Sequence, residues 1–201
     1  MELTLVVPTY NEKENIPVLL SYLKTEFDKN KIETEIIFVD DNSPDGTGEV
    51  LEELKKKYPN LKVIHRKGKL GLSSAALEGF RVSNGEIIGL MDADLSHPIE
   101  KIKEMYRGIL NGADLVIGSR YVKDSGESVG GRIEGWSLYR RLLSKGSTLL
   151  ARVFVDVKDP MSGFFLIRKD LLFNKKINSL ITLRVLRFCS SYLLKRTPKR
   201  S

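Results

Sequence analysis

Two aspartates one residue apart follow a short apolar run in IIGLMDADLSHP, residues 87–98. If that run is a buried strand, Asp92 and Asp94 stand at positions i and i+2, and their side chains point to the same side. Carboxylates held this close repel each other unless a cation joins them, which makes a divalent metal ion one interpretation. The other is a structural role in capping or in a turn, since Asp94 and Ser96 could cap a helix that opens near Pro98. The pattern alone leaves both open.

A second group of carboxylates occurs in DDNSPDGT, residues 40–47, after another apolar run. Residues 43–46 form a favourable turn sequence, and Thr47 suits the start of a helix. We expect neither Asp40 nor Asp41 to be needed for that turn. A carboxylate at the mouth of a sheet suits ribose hydroxyls or the N–H groups of a base. The sequence therefore predicts that these two side chains face a nucleoside.

Other phosphate and metal motifs are missing from the sequence. It has no P-loop and no GxGxxG after its first apolar run. An EF-hand loop starting at Asp92 would need glycine and glutamate where His97 and Lys103 stand. A phosphatase of the haloacid-dehalogenase type would need a later Gly-Asp-rich motif, which does not follow. His65 and His97 lack the partner pattern of zinc or nucleophilic sites, so we expect structural roles for them.

The chain around these residues alternates short apolar runs with amphipathic stretches. The pattern predicts strands at 3–8, 34–41, 61–65, 85–92 and 113–121, and helices at 15–27, 47–57, 72–83, 99–110 and 136–155. It also predicts a flexible Gly- and Ser-rich loop at 122–134, and a last strand or edge segment within 159–172. Strands and helices alternating at this spacing indicate right-handed βαβ crossovers and a mainly parallel sheet in an α/β fold.

Polar sequences follow four of the predicted strands, namely PTYNE, DDNSPDGT, DADLS and GSRY. In open α/β sheets the ligand lies beyond the carboxyl ends of the strands. We therefore expect one rim of the sheet to carry the chemistry.

The net charge of +7 is unevenly distributed along the chain. Residues 1–173 hold 25 Lys and Arg against all 26 Asp and Glu, whereas residues 174–201 hold the other 8 basic residues and no acid. Binding of DNA or RNA depends on many Lys and Arg contacts to phosphate. A near-neutral domain is poorly suited to that task, so we expect no nucleic-acid partner.

The length of 201 residues fits one domain with a sizeable core. The single cysteine, Cys189, can form no internal disulfide, and no apolar run before Pro8 could serve as a signal peptide. A reducing compartment is therefore expected. No stretch reaches the roughly 18 apolar residues of a membrane span, so we expect any membrane contact to be from one side.

Six segments, taken in order and spacing, resemble a family-2 glycosyltransferase of the GT-A fold, a Rossmann-like three-layer sandwich. They are VVPTYNEKENI, IIFVDDNSPDGT, KGKLGLSSAALEGF, MDADLSHP, GSRYV and DPMSGFFLIRKDLL. Within that family, DADLSHP together with GSRYV and GWSLYRRLLSKG is most similar to the dolichol-phosphate mannose synthases. We take residues 1–172 as one GT-A glycosyltransferase domain and residues 173–201 as an atypical basic tail.

The resemblance implies an inverting transfer of mannose from GDP-mannose to a dolichyl (polyprenyl) phosphate, with Mg²⁺ or Mn²⁺ as cofactor. We expect a protein on the cytoplasmic face of a membrane, in contact with the membrane surface; a separate membrane-anchoring subunit is left open as a further partner. Two alternatives also stay open. One is a glucosyl or other hexosyl transferase of the same family that uses a UDP-sugar, and the other is a catalytically impaired, truncated nucleotide-binding remnant.

Carried over residue by residue, the resemblance also assigns a candidate site. The nucleoside pocket would be lined by Pro8, Tyr10, Glu12, Val39 and Asp41. The metal and diphosphate site would be formed by Asp92, Ala93, Asp94 and Ser96. Of these, Asp94 with Ser96 is favoured as a metal ligand, and Asp92 as a helper either at the ribose or behind the metal ligands. Arg120 and Arg140 would face the sugar and phosphates as catalytic residues with Asp94; ordinary surface solvation is the alternative for both arginines.

The final segment departs from the family pattern. The family continues past SGFFLIRKDLL with a helix, a strand and a basic R-x-x-G-x-S-K loop over the donor diphosphate, and this sequence shows no such loop. A shifted reading frame or a natural truncation is one explanation. A basic amphipathic helix on an anionic membrane is a second, because Arg184, Arg187 and Lys195 fall near one helical face. An unselected disordered tail is a third.

Overall fold

The computed structural model describes residues 2–118, 123–124, 127–128 and 163–173. Its strands are β1 (Leu3–Thr9), β2 (Thr34–Asp40), β3 (Leu61–His65), β4 (Ile87–Leu90), β5 (Leu115–Ile117), β6 (Lys123–Asp124), β7 (Glu127–Ser128) and β8 (Phe165–Arg168). Its helices are α1 (Asn15–Asn30), α2 (Thr47–Lys55), α3 (Leu72–Val82), α4 (Ile102–Leu110) and α5 (Lys169–Leu172), with a 3₁₀ turn at Ile99–Lys101 before α4. Each strand and helix predicted within residues 2–118 is confirmed. The helix predicted at 136–155 and the tail after 173 lie outside the described residues, so the domain division stays a prediction.

Six strands form one sheet in the order β3-β2-β1-β4-β8-β5. β1 pairs in parallel with β2 and β4, and β2 pairs in parallel with β3. The predicted mainly parallel sheet is therefore confirmed. From β1 the chain builds outward to β2 and β3 and then returns to β4 on the other side of β1. The carboxyl edge between β1 and β4 is thus a topological switch point, where ligands bind in open α/β sheets.

The pattern in 159–172 predicts a last strand or an edge segment; the strand is confirmed as β8, and a position at the edge of the sheet is wrong. β8 lies inside the sheet and pairs antiparallel with both β4 and β5. The physical reason is visible in FFLI, residues 164–167, which is apolar without alternation and buried throughout. Such a run suits a strand covered on both faces, whereas an edge strand normally carries polar residues.

Four residues of the predicted flexible loop at 122–134 are described, and the flexibility of the loop stays a prediction. Lys123–Asp124 (β6) pairs antiparallel with Glu127–Ser128 (β7) in a separate two-stranded sheet. The pairing uses backbone groups, so it forms between polar residues that carry no apolar strand pattern.

Helices cover both faces of the six-stranded sheet. Alternate residues of β1 point to opposite sides, so Leu3, Leu5 and Val7 join the core beneath α1, α2 and α4, and Val6 joins the core beneath α3. The buried face of α1 is the one predicted from its spacing: Ile16, Leu19, Leu20, Leu23 and Phe27. The three-layer α/β architecture is confirmed.

Among the helices of the described residues, none combines the length and the apolar composition that a membrane span requires.

A buried carboxylate ties the amino-terminal ends of the strands together. Glu35 accepts hydrogen bonds from the Thr4 hydroxyl at 2.7 Å and from the Asn84 amide and side chain at 2.9 Å each. Lys62 forms an ion pair with the same carboxylate at 2.5 Å. Burial by itself would raise the pKa of Glu35, but Lys62 and these hydrogen bonds outweigh it and lower the pKa. Glu35 therefore stabilises the sheet edge opposite the switch point in its ionised form.

Candidate active site

A cleft of about 350 Å³ opens at the carboxyl edge of the sheet, between the ends of β1 and β4. We call it the switch-point cleft. Its lining comprises Pro8, Thr9, Tyr10, Glu12, Asp41, Lys69, Gly71, Leu72, Ala75, Asp92, Ala93 and Asp94. The cleft thus collects Pro8, Tyr10, Glu12 and Asp41 from the predicted nucleoside set. It also collects Asp92, Ala93 and Asp94 from the predicted diphosphate set, although the two sets are about 50 residues or more apart in sequence.

Two of the described site residues, Val39 and Ser96, are not part of this lining. Val39 is completely buried in the core beneath α3. Ser96 is half-buried and lies beyond Asp94 in the loop after β4. Arg120 and Arg140 lie outside the described residues, so their roles stay predictions.

The loops after β1 and β2 are hydrogen-bonded into one wall of the cleft. The amides of residues 11–13 donate to the side chains of Ser43, Thr47 and Asp45, at 3.0, 3.0 and 3.2 Å. Asp45 also accepts from the Thr47 hydroxyl at 2.6 Å. Burial alone would raise the pKa of Asp45, but the bonds from Thr47 and the Lys13 amide lower it. This network fixes the backbone that presents Tyr10 and Glu12 to the cleft.

Asp40 does not face a nucleoside as predicted. It is buried and accepts hydrogen bonds from the Ser43 amide at 3.2 Å and the Ser43 hydroxyl at 2.5 Å. The expectation that Asp40 is unnecessary for the turn is therefore wrong. A side-chain acceptor at the first position of a turn satisfies amides that the strand ladder no longer reaches.

Asp41 lines the cleft and also anchors the opposite wall. It is buried and accepts from Arg66 Nη1 at 2.6 Å and from the Gly71 amide at 2.7 Å. Arg66 donates further to the Ser74 hydroxyl at 2.7 Å. Its Nε lies 3.1 Å from Glu78 Oε2, close enough for an ion pair but not aligned for a hydrogen bond. Asp41 therefore holds the segment between β3 and α3 against the end of β2.

Lys69 is a cleft residue that sequence reasoning missed. Its ammonium lies 3.7 Å from the centroid of the Tyr10 ring, a cation–π contact across the cleft. Lys69 is the one basic residue among the described residues that line the cleft, and it shares the cleft with four carboxylates. The KGKLG segment could have indicated this role, since it places a lysine just before the helix that faces the switch point.

The two aspartates after β4 have different surroundings. Asp94 is exposed and accepts from the Ser96 amide at 3.0 Å, which closes a local turn. The helical turn at Ile99 has no side-chain cap, so the capping part of the structural interpretation is wrong. Its turn part is confirmed by the hydrogen bond between Asp94 and Ser96. Asp92 lies 3.0 Å from Nε2 of His97, a buried residue for which only a structural role was expected. In the sequence, this contact is indicated only by the position of His97 five residues after Asp92.

Within the described residues, no three His, Cys, Asp or Glu side chains converge into a group that could hold a metal ion by themselves. The cleft offers Asp92 and Asp94 as oxygen donors. Carboxylate oxygens are the ligands that Mg²⁺ and Mn²⁺ prefer, and Mg²⁺ is commonly held by one or two carboxylates together with substrate phosphates. The donor set therefore fits a divalent ion that shares its coordination with a bound diphosphate.

Known proteins resemble this chain in both sequence and fold. The family model described as glycosyl transferase family 2 matches residues 4–173. The chain belongs to this family. A dolichol-phosphate mannosyltransferase of Pyrococcus furiosus is 43% identical over 182 residues, which are 89% of this chain and 49% of that protein. A dolichol-phosphate mannosyltransferase of Saccharomyces cerevisiae is 37% identical over 183 residues, 89% of this chain and 66% of that protein. The chain thus spans about half to two thirds of these curated relatives.

Solved structures support the GT-A fold of this family-2 glycosyltransferase. A mannosyltransferase from Pyrobaculum calidifontis in complex with GDP-Man and Mn²⁺ has a TM-score of 0.57 at 21% identity, over 85% of this chain and 45% of that one. Glucosyl-3-phosphoglycerate synthase from Mycobacterium tuberculosis, with Mn²⁺, UDP-glucose and phosphoglyceric acid, has a TM-score of 0.62 at 16% identity, over 94% of this chain and 66% of that one. At these identities the likeness shows the fold.

Proposed function

We propose that this domain transfers mannose from GDP-mannose to a dolichyl or other polyprenyl phosphate, with inversion at the anomeric carbon. The observation that carries the proposal is the switch-point cleft, where most of the residues assigned by the family motifs meet. Relatives at 43% and 37% identity, both named dolichol-phosphate mannosyltransferase, support the choice of reaction. Because the chain spans only part of those proteins, the reaction is a proposal for this domain.

The nucleoside of the donor is proposed to occupy the part of the cleft lined by Tyr10, Glu12, Asp41 and Lys69. A base presents a flat apolar face, which suits the Tyr10 ring. Guanine carries N–H donors on one edge and acceptors on another, which complement a carboxylate and an ammonium respectively. The cleft offers both kinds of partner.

The diphosphate is proposed to lie near Asp92, Ala93 and Asp94. Asp92 and Asp94 would hold Mg²⁺ or Mn²⁺ there, and the presence of Mn²⁺ in the Pyrobaculum and Mycobacterium complexes supports a divalent ion. When bound, such an ion would neutralise the diphosphate and stabilise the charge of the leaving nucleotide. Ser96 remains proposed as a further oxygen ligand.

The acceptor chemistry requires little of the protein. A phosphate monoester has a second pKa of about 6, so it is already an anion at neutral pH and needs no general base. What the domain must supply is position, by holding two phosphorylated substrates together. Arg120 and Arg140 are proposed for this task, with Asp94 as the third catalytic residue.

We further propose that the domain acts at the cytoplasmic face of a membrane. The acceptor is a membrane lipid and the donor is a water-soluble nucleotide sugar, so transfer must occur at the membrane surface. Flotation of the protein with lipid vesicles tests the membrane contact, and protein that stays at the bottom of the gradient contradicts it.

Transfer of radiolabelled mannose from GDP-mannose to dolichyl phosphate tests the reaction. We expect transfer that requires Mg²⁺ or Mn²⁺ and is lost in Asp94→Ala. Asp28→Ala is the matched control, since Asp28 is an exposed aspartate on α1 that pairs with Lys24. Asp94→Ala with unchanged metal-dependent GDP binding would contradict the metal assignment.

Two outcomes would replace the proposal. Transfer from UDP-glucose but not from GDP-mannose would identify a hexosyl transferase of the same family. Binding of GDP and metal without transfer from any donor would identify a nucleotide-binding remnant.

A further inference from the structure

The Asp92 carboxylate is enclosed on two sides, although it opens to the cleft. Its side chain is 35% exposed. On one side, Nε2 of His97 lies 3.0 Å from Oδ2. A carboxylate only accepts hydrogen bonds, so this ring nitrogen must carry the hydrogen. The contact therefore holds one Asp92 oxygen against the His97 ring.

His97 itself has little freedom to move. Its side chain is 5% exposed, and its ring stacks on Phe164 with centroids 4.9 Å apart and planes at 21°. The turn that returns the chain from Asp92 to His97 contains Leu95 with φ of +59°. A non-glycine residue in this left-handed region is strained and persists where the surroundings require it.

On the other side, the backbone leading into β8 passes directly against the same carboxylate. A Cβ atom at Gly163 would lie 2.9 Å from each Asp92 oxygen and 3.2 Å from Cγ. A side chain there would push the carboxylate away, because carbon and oxygen atoms do not approach this closely. The absence of a side chain at Gly163 therefore allows the Asp92 carboxylate to keep its present orientation.

The support continues one layer further, beneath the histidine. A Cβ atom at Gly118 would lie 2.0 Å from Cδ1 of Phe164, so the Phe164 ring packs directly over the backbone that follows β5. The Gly118 amide also donates to the Phe164 carbonyl at 2.5 Å. The ring on which His97 stacks is thus held by β5, the edge strand next to β8.

We infer that His97 is a positioning residue that fixes the orientation of Asp92 toward the bound diphosphate, with Gly163 setting the opposite limit. The inference rests on the proposed function of the cleft. Residues that orient a ligand-binding carboxylate commonly change metal affinity or activity by about 10–100-fold when replaced. An aspartate at a metal and diphosphate site must be held within a fraction of an ångström to act. Without neighbouring groups to hold it, an exposed aspartate side chain is not positioned this closely.

The test compares His97→Ala, His97→Gln and Gly163→Ala with the wild-type protein. We expect His97→Ala to lower kcat for mannosyl transfer by about 10–100-fold. We expect a smaller effect on KM for the acceptor, whose phosphate is not bound by His97. His97→Gln should recover part of kcat, because its amide can donate to Asp92 from a similar distance. Gly163→Ala should lower kcat as well, since it displaces the same carboxylate while leaving His97 in place.

His65→Gln is the matched control, since His65 is 45% exposed and pairs with Glu52 on the surface. Melting temperatures of all variants separate positioning from unfolding. Unchanged kcat in both His97→Ala and Gly163→Ala would overturn the inference, as would a loss in His97→Ala that glutamine does not relieve. If the wild-type protein transfers no mannose, Mn²⁺-dependent GDP binding by calorimetry replaces kcat. In that case the transfer reaction fails, and the positioning role is judged by whether these variants weaken binding.

Discussion

The buried ion pair between Arg66 and Asp41 makes a quantitative prediction for Arg66→Met. The two side chains are 5% and 6% exposed, and Nη1 lies 2.6 Å from Oδ1. Methionine approximates the length of the arginine stem but carries no charge. The substitution leaves the Asp41 carboxylate buried, with a hydrogen bond from the Gly71 amide.

Removing one partner of a buried ion pair costs about 3–5 kcal/mol, because the other charge stays buried without compensation. The bond from the Gly71 amide places the expected cost near the lower end, at about 3 kcal/mol. In a chain of this size each kcal/mol lowers the melting temperature by about 2–4 °C, so the expected drop is about 6–12 °C. GDP binding should weaken too, because Asp41 and Gly71 both line the cleft.

The coupling free energy of the pair is measured by urea unfolding of Arg66→Met, Asp41→Asn and the double variant. The double variant should be more stable than the sum of the single losses predicts, since it leaves no uncompensated charge. Lys24→Met is the matched control, because Lys24 and Asp28 are 44% and 61% exposed and their pair should contribute about 0.5 kcal/mol or less. An Arg66→Met cost no larger than that of Lys24→Met, or strictly additive losses, would refute the reasoning.

Two further predictions concern stability. The pKa of Glu35 is lowered below its ordinary value of 4.5, so its stabilisation is present above that pH and is lost as the pH falls through the lowered value. Urea unfolding at pH 7 and pH 3 should therefore show a larger acid loss in the wild-type protein than in Glu35→Gln; equal losses would contradict this. Gly118→Ala should cost about 1–3 kcal/mol by overpacking against Phe164. Gly68→Ala, where a Cβ meets nothing within 4 Å, should be close to neutral in the same assay.

Local patterns predicted most of the described elements and several of the site residues. The spacing of the apolar residues in α1 predicted its buried face, and apolar runs ended by polar sequences predicted the strands and their functional rim. The errors have a common cause. The place of β8 inside the sheet and the use of Asp40 in the turn after β2 depend on partners that the neighbouring residues do not reveal.

The sequence by itself determined the α/β class, the family and the carboxylates of the cleft, because periodicity, turn residues and ordered motifs are local properties of the chain. Tertiary structure decided which of these residues meet. The reversal of strand order between β1 and β4 opens the cleft, and the ion pair with Arg66 makes Asp41 an anchor as well as a lining residue. The insertion of β8 places Gly163 and Phe164 against Asp92 and His97. Contacts of this kind join residues up to about 70 positions apart, and only the packed fold brings them within reach of one another.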